Sequence, residues 1–371
     1  MRIMHTADWH IGKQLNHYRL VDEQWDAFNQ LKQIAQTEHV DAIVIAGDVY
    51  DRSLASEDTV KMVNEMMAEL NLHLHYPLLV ISGNHDSAER LGIGRQWFAD
   101  KQFYLKTQLA EAFTPVVLAD TQFFLLPYFT PHDAQLYFHD DTLKTMGQAM
   151  ARITATMQKQ FLPDKRHLLV AHFFASGEQT TSTEVGGLNA VPLPTMAMFD
   201  QVMLGHLHSA RALLNDKIKY SGTLMPFTVN AANQAKGVRI FDTNTGTNTF
   251  HTIQPLHRIN VLTGSFADLI QQPPALPVDD FVAFQLTDQQ PIPDLMNKLR
   301  QAYAKQRVLS VQRQNGLQSD LNQVEHTVDV QKLTPMELLD GFYHDVMQQP
   351  LTAMQRQLAQ QCLDETLKEE K

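Results

Sequence analysis

Short apolar runs recur through the first 255 residues of this 371-residue chain, and polar residues follow each of them closely. Runs of this length and composition predict buried strands. The five runs that precede the most reactive side chains are residues 2–6, 40–46, 78–82, 168–171 and 201–204. The second run is almost continuously apolar, as expected of a central parallel strand that is covered on both faces.

Two segments between these strands carry apolar residues at helical spacing. In residues 22–38 the apolar side consists of Trp25, Phe28, Leu31 and Ala35, and Asp22 is the predicted N-cap. In residues 56–70 it consists of Val60, Val63, Met67 and Leu70. Strands that alternate with amphipathic helices predict an α/β domain. Three shorter predicted strands, residues 123–126, 218–221 and 238–241, suggest a second sheet with more antiparallel character.

The last third of the chain has a different organisation. The proline-rich stretch 273–277 is the predicted linker. A strand at 281–286, a helix at 294–305 and a strand at 307–313 then predict a small α+β domain. Two apolar stripes separated by Pro350 predict a terminal helix pair: Leu338, Leu339, Phe342, Val346 and Met347, then Leu351, Met354, Leu358 and Cys362. These helices could pack on the preceding domain or bind a partner, and the pattern leaves both open.

Side chains that can bind metal follow all five of the first strands at the same end. They are Asp8, His10, Asp48, Asp51, Asn84, His85, Asp86, His172, His206 and His208. Because the carboxyl ends of parallel strands meet at one edge of an α/β sheet, we expect these side chains to converge. Carboxylates, an amide and imidazoles without thiolates suit divalent cations, and paired cations are typical of phosphoester chemistry. Each motif alone also occurs in ordinary turns, so the prediction depends on all five occurring together.

Several residues near these motifs have simpler interpretations. Trp9 lies between two candidate ligands and is predicted to pack in the core, and His5 and His167 are predicted to be structural. Residues 176–187, rich in Ser, Thr and Gly, follow His172 and form a candidate substrate loop. The sequence contains no Gly-rich phosphate loop ending in Gly-Lys-Ser/Thr, so we do not expect this chain to hydrolyse ATP.

Composition bears on the partners of the protein and on the compartment in which it works. The net charge of −11 argues mildly against binding of nucleic acid by the chain alone, although two divalent cations would add four positive charges where a phosphate binds. The only cysteine is Cys362, so no intrachain disulfide can form, which fits a reducing compartment. No apolar run approaches the length needed to cross a bilayer, and the first residues lack the pattern of a signal peptide. We therefore expect a cytoplasmic protein with no membrane partner.

The order of the motifs, D-x-H, G-D-x-x-D, G-N-H-D, H and G-H-x-H, resembles the motif series of the calcineurin-like metallophosphoesterases. The residues around Asp8, Asn84 and His206 further resemble the bacterial SbcD nuclease subunits, which pair with the SbcC ATPase. This resemblance implies an α/β fold, a four-layer αββα sandwich with a small α+β capping domain and a C-terminal helix pair. The implied domains are a nuclease domain at 1–255, a capping and DNA-guiding domain at 256–330, and a partner-binding segment at 331–371.

The resemblance also implies a ligand set. One metal would be held by Asp8, His10, Asp48 and His208, and the other by Asp48, Asn84, His172 and His206, with Asp48 bridging them. The implied metal is Mn²⁺, two per chain, with Mg²⁺ as a possible substitute. His85 would contact the scissile phosphate and protonate or stabilise the leaving 3′ oxygen. Asp51 and Asp86 would hydrogen-bond ligand imidazoles, although a plain turn or capping role is equally open.

The implied activity is a manganese-dependent DNA nuclease with double-strand 3′–5′ exonuclease and single-strand endonuclease activity. The implied partners are DNA, an SbcC-type ATPase bound through residues from Thr334 onward, and a second copy of the chain, giving a homodimer within a heterotetramer. That homodimer would form through the helices after Asn84 and around residues 56–70. Two alternatives remain: a phosphomonoesterase or cyclic-nucleotide phosphodiesterase of the same superfamily, and a catalytically silent scaffold subunit.

Overall fold

The computed structural model of the protein describes residues 1–176, 190–288, 290–313 and 351–360, together with residues 336, 339–340 and 343. Within this part the chain divides into two compact units, Met1–Arg258 and Ile259–Lys371. None of the helices in the described part is both long and apolar enough to span a bilayer.

The strands of the described part are, in chain order, β1 Arg2–Thr6, β2 Gln14–Leu15, β3 Tyr18–Arg19, β4 Ala42–Ala46, β5 Leu78–Ile81, β6 Phe103–Lys106, β7 Val116–Leu118, β8 Thr121–Leu126, β9 Arg166–His172, β10 Ala175–Ser176, β11 Val191–Pro192, β12 Gln201–Gly205, β13 Ile218–Tyr220, β14 Lys236–Asp242, β15 Asn248–Ile253, β16 Ile259–Gly264, β17 Phe281–Leu286 and β18 Arg307–Arg313. The α-helices are α1 Val21–Thr37, α2 Glu57–Ala68, α3 Ala88–Leu91, α4 Arg95–Phe98, α5 Pro131–Phe138, α6 Met146–Gln158, α7 Phe266–Gln271 and α8 Leu295–Ala302. A π-helical turn, Glu69–His73, extends α2, and there are short 3₁₀ helices at Ala99–Lys101, Leu109–Phe113, Leu193–Met196 and Val229–Ala231. Residues 353–360 are also helical.

Two sheets form the first unit. The first has the order β15-β14-β1-β4-β5-β6, with β1, β4, β5 and β6 parallel, β14 antiparallel to β1, and β15 antiparallel to β14. The second has the order β13-β12-β9-β8-β7, in which only β7 runs antiparallel to its neighbour. The prediction of a second sheet with more antiparallel character was therefore wrong. Helices α5 and α6 lie between β8 and β9, and a helical crossover of this kind returns the chain in the parallel direction.

Three apolar layers hold these sheets together and confirm the four-layer α/β sandwich. Between the sheets, Ile3 and Val44 of the first pack with Phe123 and Val170 of the second. The outer face of the first sheet packs against α1 and α2, and that of the second against α5 and α6. Strand β4 is buried along its whole length because both of its faces are covered, which explains its continuous apolar sequence.

Both long helices form where the sequence predicts them, with two corrections. Helix α1 begins at Val21 and its N-cap is Leu20, which makes no side-chain capping bond, so the prediction of Asp22 as N-cap was wrong. Asp22 lies in the first turn, where its charge favours the positive end of the helix dipole. Met66 of α2 and Leu70 of the π-helical turn are fully buried, whereas Val60 of α2 is exposed.

The second unit contains three parallel strands in the order β16-β17-β18, with α7 and α8 packed against the sheet. Strands β17 and β18 and helix α8 lie where the sequence predicts them. Strand β16 and helix α7 were missed, and the proline-rich stretch 273–277 connects α7 to β17 inside this unit. Its interpretation as an interdomain linker was therefore wrong. The domain boundary predicted at residues 330–331 lies outside the described residues.

His5 joins the two sheets and gives the fold a specific sensitivity to acid. Its ring lies fully buried, and Nε2 lies 3.2 Å from the carbonyl oxygen of Leu204. Burial, reinforced by the charge of Arg239, lowers the pKa of His5 to about 3. Because the folded-state pKa lies below the ordinary value of about 6.5, the contribution of His5 to stability is complete above pH 6.5 and declines as the pH falls toward 3.

We therefore expect His5→Gln, which keeps a donor but does not titrate, to reduce the loss of unfolding free energy between pH 7 and pH 4.5 by about 2 to 3 kcal/mol. Urea unfolding of the metal-free protein at a series of pH values measures this difference. A chelator in every sample ensures that release of metal in acid does not contribute to the change in stability. A variant whose stability falls with acid as steeply as that of the wild type would contradict the assigned role of His5.

Candidate metal centre

The candidate ligands lie where the carboxyl ends of strands from both sheets meet. Loops after β1, β4 and β5 contribute from the first sheet, and the ends of β9 and β12 contribute from the second. Two bonds tie the sheets together at this edge: the backbone N–H of His206 donates to the Asp8 carboxylate at 2.9 Å, and His172 Nδ1 lies 2.8 Å from the carbonyl oxygen of Ala46. The convergence that the sequence predicts is therefore present.

One group of polar atoms surrounds the side-chain oxygen of Asn84. This Oδ1 atom lies 3.0 Å from His172 Nε2 and 2.9 Å from His206 Nδ1. The Asp48 Oδ2 atom lies 3.3 Å from the same His172 nitrogen. A carboxylate, an amide oxygen and two imidazoles thus face one another within the reach of a single ion.

A second group lies on the other side of Asp48. The Nε2 atoms of His10 and His208 lie 3.1 Å apart, and His10 Nε2 lies 3.6 Å from Asp48 Oδ2. Asp8, His10 and His208 present ligand atoms that all lie within 4.8 Å of one another, and so do Asp8, Asp48 and His172. A single atom, Asp48 Oδ2, lies within 3.6 Å of a histidine nitrogen from each group.

The electrostatics of this pocket suit cations. Asp8 and Asp48 are buried, and within the described residues no lysine or arginine pairs with either. Burial, together with the charge of Asp48, raises the pKa of Asp8 to about 7. Burial would also raise the pKa of Asp48, but the adjacent His172 and His10 hold it below the usual value. Two buried carboxylates this close are compensated most simply by bound positive charge.

The imidazoles are in the state that metals require. Burial lowers the pKa of His10 to about 3, and desolvation by the surrounding pocket lowers those of His206 and His208 to about 4, so all three are neutral at pH 7. Burial also disfavours the charged form of His172, but Asp48 reverses this and raises its pKa. A neutral ring offers a lone pair to a cation, and a divalent ion would displace the proton that His172 otherwise carries. The residues present therefore fit a divalent metal.

Four candidate ligands have left-handed backbone conformations. The φ angles are +54° at Asp8, +44° at His10, +52° at Asp48 and +96° at His206. Each such residue is disfavoured by about 1 kcal/mol or more, and conformations of this kind persist where the surrounding structure fixes them. Here the N–H of Asp8 donates to Gly47 O and that of His10 to Asp48 O, both at 3.0 Å. No pattern in the sequence indicated this strain.

Gly83 permits the loops after β4 and β5 to lie close to each other. A Cβ atom at this position would overlap both the side chain and the backbone nitrogen of Asp48. Gly47 has φ +88°, and a side chain there would meet the ring of His172. Glycine at these two positions therefore lets Asp48 sit between strands of both sheets.

His85 forms a third group of possible ligand atoms with His10 and Asp51, and its contacts distinguish it from the assigned ligands. Its ring is exposed, and Nδ1 lies 2.9 Å from the carbonyl oxygen of Asp51. Because that carbonyl can only accept, Nδ1 carries the proton and Nε2 is the ring atom available to another molecule. The backbone N–H of His85 donates to Asp48 Oδ1 at 2.9 Å. His85 is thus fixed at both its backbone and its ring beside the ligand groups.

Asp86 and Asp51 support the loops in different ways. The Asp86 carboxylate accepts from the backbone N–H groups of Val49, Tyr50 and Gly83, so it ties the β4 loop to the β5 loop. Of the two roles that the sequence leaves open for Asp86, these three bonds favour the turn role. Asp51 lies 3.6 Å from His10 Nδ1, and its closer partner is Lys13 Nζ at 2.6 Å.

The structure agrees with the predictions for Trp9 and His167, and it also places near the site three residues that the sequence did not indicate. Trp9 is buried in the core, as predicted, and His167 stacks on Phe161 with ring centroids 3.8 Å apart. The candidate substrate loop lies outside the described residues apart from Ser176. Gln24, Phe227 and Lys236 all adjoin the site and were missed. They are distant in sequence from the motifs, so no local signal could have identified them.

Comparison with known proteins gives two family matches. The model described as calcineurin-like phosphoesterase matches residues 1–210, and the model described as type 5 capsule protein repressor C-terminal domain matches residues 253–347. A relative from Staphylococcus epidermidis (strain ATCC 12228 / FDA PCI 1200), whose name makes it the SbcD component of the nuclease SbcCD, is 35% identical over 363 residues, or 96% of each chain.

A likeness to a solved structure is much weaker. The crystal structure of a dimetal phosphatase from Danio rerio is 14% identical, with a TM-score of 0.39, over 65% of this chain and 91% of that one.

Proposed function

Since this chain belongs to the calcineurin-like phosphoesterases and, among them, to the SbcD nuclease subunits, and is therefore a metal-dependent phosphodiesterase, we propose that its substrate is DNA and its metals are two Mn²⁺ ions. The proposed activities are exonuclease action on duplex ends in the 3′–5′ direction and endonuclease action on single strands. The relative's name, that of a nuclease component, supports the choice of substrate.

One observation carries this proposal: two groups of ligand atoms flank Asp48. On one side Asn84 Oδ1 faces the nitrogens of His172 and His206, and on the other the Nε2 atoms of His10 and His208 face each other at 3.1 Å. We assign one metal to Asp8, His10, Asp48 and His208. We assign the other to Asp48, Asn84, His172 and His206, and Mg²⁺ could replace Mn²⁺ because the ligands are oxygen and nitrogen atoms.

When bound, a pair of divalent cations supplies charge stabilisation to the attacking and leaving oxygens of an in-line displacement. The chain's own residues have distinct tasks around it. Asp48 faces a histidine of each ligand group with its Oδ2 atom, and its Oδ1 atom fixes the backbone of His85. His85 keeps its Nδ1 proton on the Asp51 carbonyl and presents Nε2 to the phosphodiester. With a second proton on Nε2, the ring would donate that proton to the leaving 3′ oxygen or stabilise the charge that develops there.

A partner would explain how an acidic chain acts on DNA. The net charge of −11 opposes binding to a phosphate backbone, so we propose that an SbcC-type ATPase supplies the basic, DNA-embracing surface. The described part of the terminal segment is consistent with docking, since Met354 and Leu358 are 83% and 62% exposed. A side chain this apolar and this exposed commonly marks an interaction surface when several lie together.

Removal of residues 334–371 should abolish binding to the ATPase partner and leave the metal centre intact. The reason is that the metal-binding side chains all lie within residues 8–208, in the first compact unit. Co-purification with the tagged ATPase and metal analysis of the shortened chain measure the two halves of this expectation. Unchanged co-purification would contradict the docking role.

We also propose a homodimer through α2 and the helices after Asn84. Val60 on α2 and Ile93 after α3 are exposed apolar residues in this region, 48% and 72% respectively. Sedimentation of the isolated chain tests this, and a monomer at micromolar concentration would contradict it.

We further place the protein in the cytoplasm, because its single cysteine fits a reducing compartment, and cell fractionation checks this.

The nuclease is distinguished from the alternatives by substrate. Purified chain, alone and with its ATPase partner, is incubated with Mn²⁺ and end-labelled duplex DNA, single-stranded DNA or p-nitrophenyl phosphate. We expect metal-dependent release of nucleotides from DNA, with EDTA abolishing it. Turnover of p-nitrophenyl phosphate without cleavage of DNA would favour the phosphomonoesterase. No turnover of any ester, with metals bound, would favour the silent scaffold.

A further inference from the structure

Lys236 is a buried cation beside the metal centre. It is the first residue of β14 and only 4% exposed. Its ammonium donates to the carbonyl oxygen of His208 at 2.7 Å and to Gln234 Oε1 at 3.2 Å. Within the described residues it forms no ion pair. Burial of an ammonium against neutral acceptors is unfavourable, so a lysine here calls for a local role.

The atom that Lys236 contacts is the backbone carbonyl oxygen of His208. The His208 carbonyl also accepts from the N–H of Thr223, at 3.3 Å, so two donors fix this peptide group. The histidine side chain itself is exposed, and its ring contacts are with His10 and Phe227, at centroid distances of 5.0 and 6.3 Å. The direction in which this ring leaves the backbone therefore depends on the anchored carbonyl.

Gln24 has the corresponding position behind His10. It lies on α1, is 3% exposed, and donates from Nε2 to the carbonyl oxygen of His10 at 2.8 Å. Its Oε1 accepts from the N–H of Gly12 at 3.2 Å, so the side-chain amide of Gln24 bonds the loop after β1 at two points. His10 has a left-handed backbone, which an external support of this kind can hold in place.

We propose that Lys236 and Gln24 are positioning residues that hold the opposed pair His208 and His10 from behind, through the backbone carbonyl of each. This inference rests on the metal-ligand roles proposed above for the two histidines. Each support comes from a different element, β14 for His208 and α1 for His10, so the two rings are held independently. Their Nε2 atoms, 3.1 Å apart, thereby face the same point before any ion arrives.

Preorganisation of this kind has a measurable consequence. Residues that orient metal ligands without touching the metal typically contribute about 10- to 100-fold to metal affinity. A residue that acts only through His208 should contribute nothing once the imidazole of His208 is gone. A residue that merely stabilises the fold should instead change the unfolding midpoint and leave metal affinity unchanged.

The experiment is a double-mutant cycle on metal-free protein. Mn²⁺ is titrated calorimetrically into the wild type, Lys236→Met, His208→Ala and the double variant. We expect Lys236→Met to weaken one of the two binding events by about 10- to 100-fold. We expect the double variant to bind no more weakly than His208→Ala. Lys165→Met is the matched control, because Lys165 Nζ also donates to a backbone carbonyl, that of Ala119 at 2.8 Å, away from the site.

The results distinguish failure of the metal-ligand role of His208 from failure of the positioning role of Lys236. Unchanged affinity in His208→Ala would overturn the ligand assignment itself. Weaker binding in His208→Ala with unchanged binding in Lys236→Met would overturn the positioning role and leave the proposed function standing. Additive losses in the double variant would mean that Lys236 acts independently of His208, which also overturns it.

The second arm keeps the inference testable should Lys236→Met fail to fold. Gln24→Met retains a helix-favouring side chain of similar length in α1 and removes both bonds to the His10 loop. The same cycle with His10→Ala should again show a loss in the single variant and no further loss in the double. Full Mn²⁺ affinity in a folded Gln24→Met variant would overturn the support of His10.

Discussion

Replacement of His85 by alanine is expected to reduce DNA cleavage by about 10²- to 10⁴-fold while leaving both metals bound. The size follows from the usual contribution of a positioned acid or base to proton transfer. The retention of metal follows from geometry, since the ring of His85 is anchored by Nδ1 to the Asp51 carbonyl and not by the atoms grouped around Asp48. Single-turnover cleavage rates and metal content of the same preparation measure the two parts.

His132→Ala is a suitable control, because His132 is an exposed histidine on α5. It should retain the wild-type rate. Full nuclease activity in His85→Ala would refute the assigned role. Loss of one metal from that variant would refute the distinction between His85 and the ligands.

Replacement of Asp48 by asparagine is expected to have the largest effect on metal binding. Asp48 Oδ2 lies 3.3 Å from His172 and 3.6 Å from His10, one histidine from each ligand group. Asparagine keeps the shape but removes the charge and one of the two acceptor oxygens. Because even supporting residues contribute about 10- to 100-fold to metal affinity, removal of a bridging carboxylate should exceed that range.

Metal analysis after dialysis should therefore find no more than one ion per chain in Asp48→Asn, with DNA cleavage at background. Asp216→Asn changes an exposed carboxylate and serves as its control. Two tightly bound ions in Asp48→Asn would contradict the bridging role, whatever happened to the rate.

The sequence predicted the part of the site that depends on strand ends. Strand β1 has the predicted bounds, β5 differs by one residue, and the side chains that follow them converge as expected. This succeeded because the rule is local: a buried strand ends, and its next polar residue lies at the sheet edge. The same local reasoning found α1 and α2, whose apolar spacing is strong.

The remaining features depend on tertiary contacts. Lys236 reaches the His208 carbonyl from 28 residues away, and Gln24 reaches that of His10 from 14 residues away. Their bonds use backbone atoms, which every residue has, so no motif records them. The direction of the second sheet was also hidden, because a run such as residues 123–126 looks the same in a parallel or an antiparallel pair.

The central claim is that Asp48 lies between two divalent cations, and anomalous diffraction from crystals grown with Mn²⁺ tests it most directly. The expected map contains two manganese peaks, one beside Asp8, His10 and His208 and the other beside Asn84, His172 and His206, with the Asp48 carboxylate touching both. A single peak, or two peaks of which only one contacts Asp48, would contradict it.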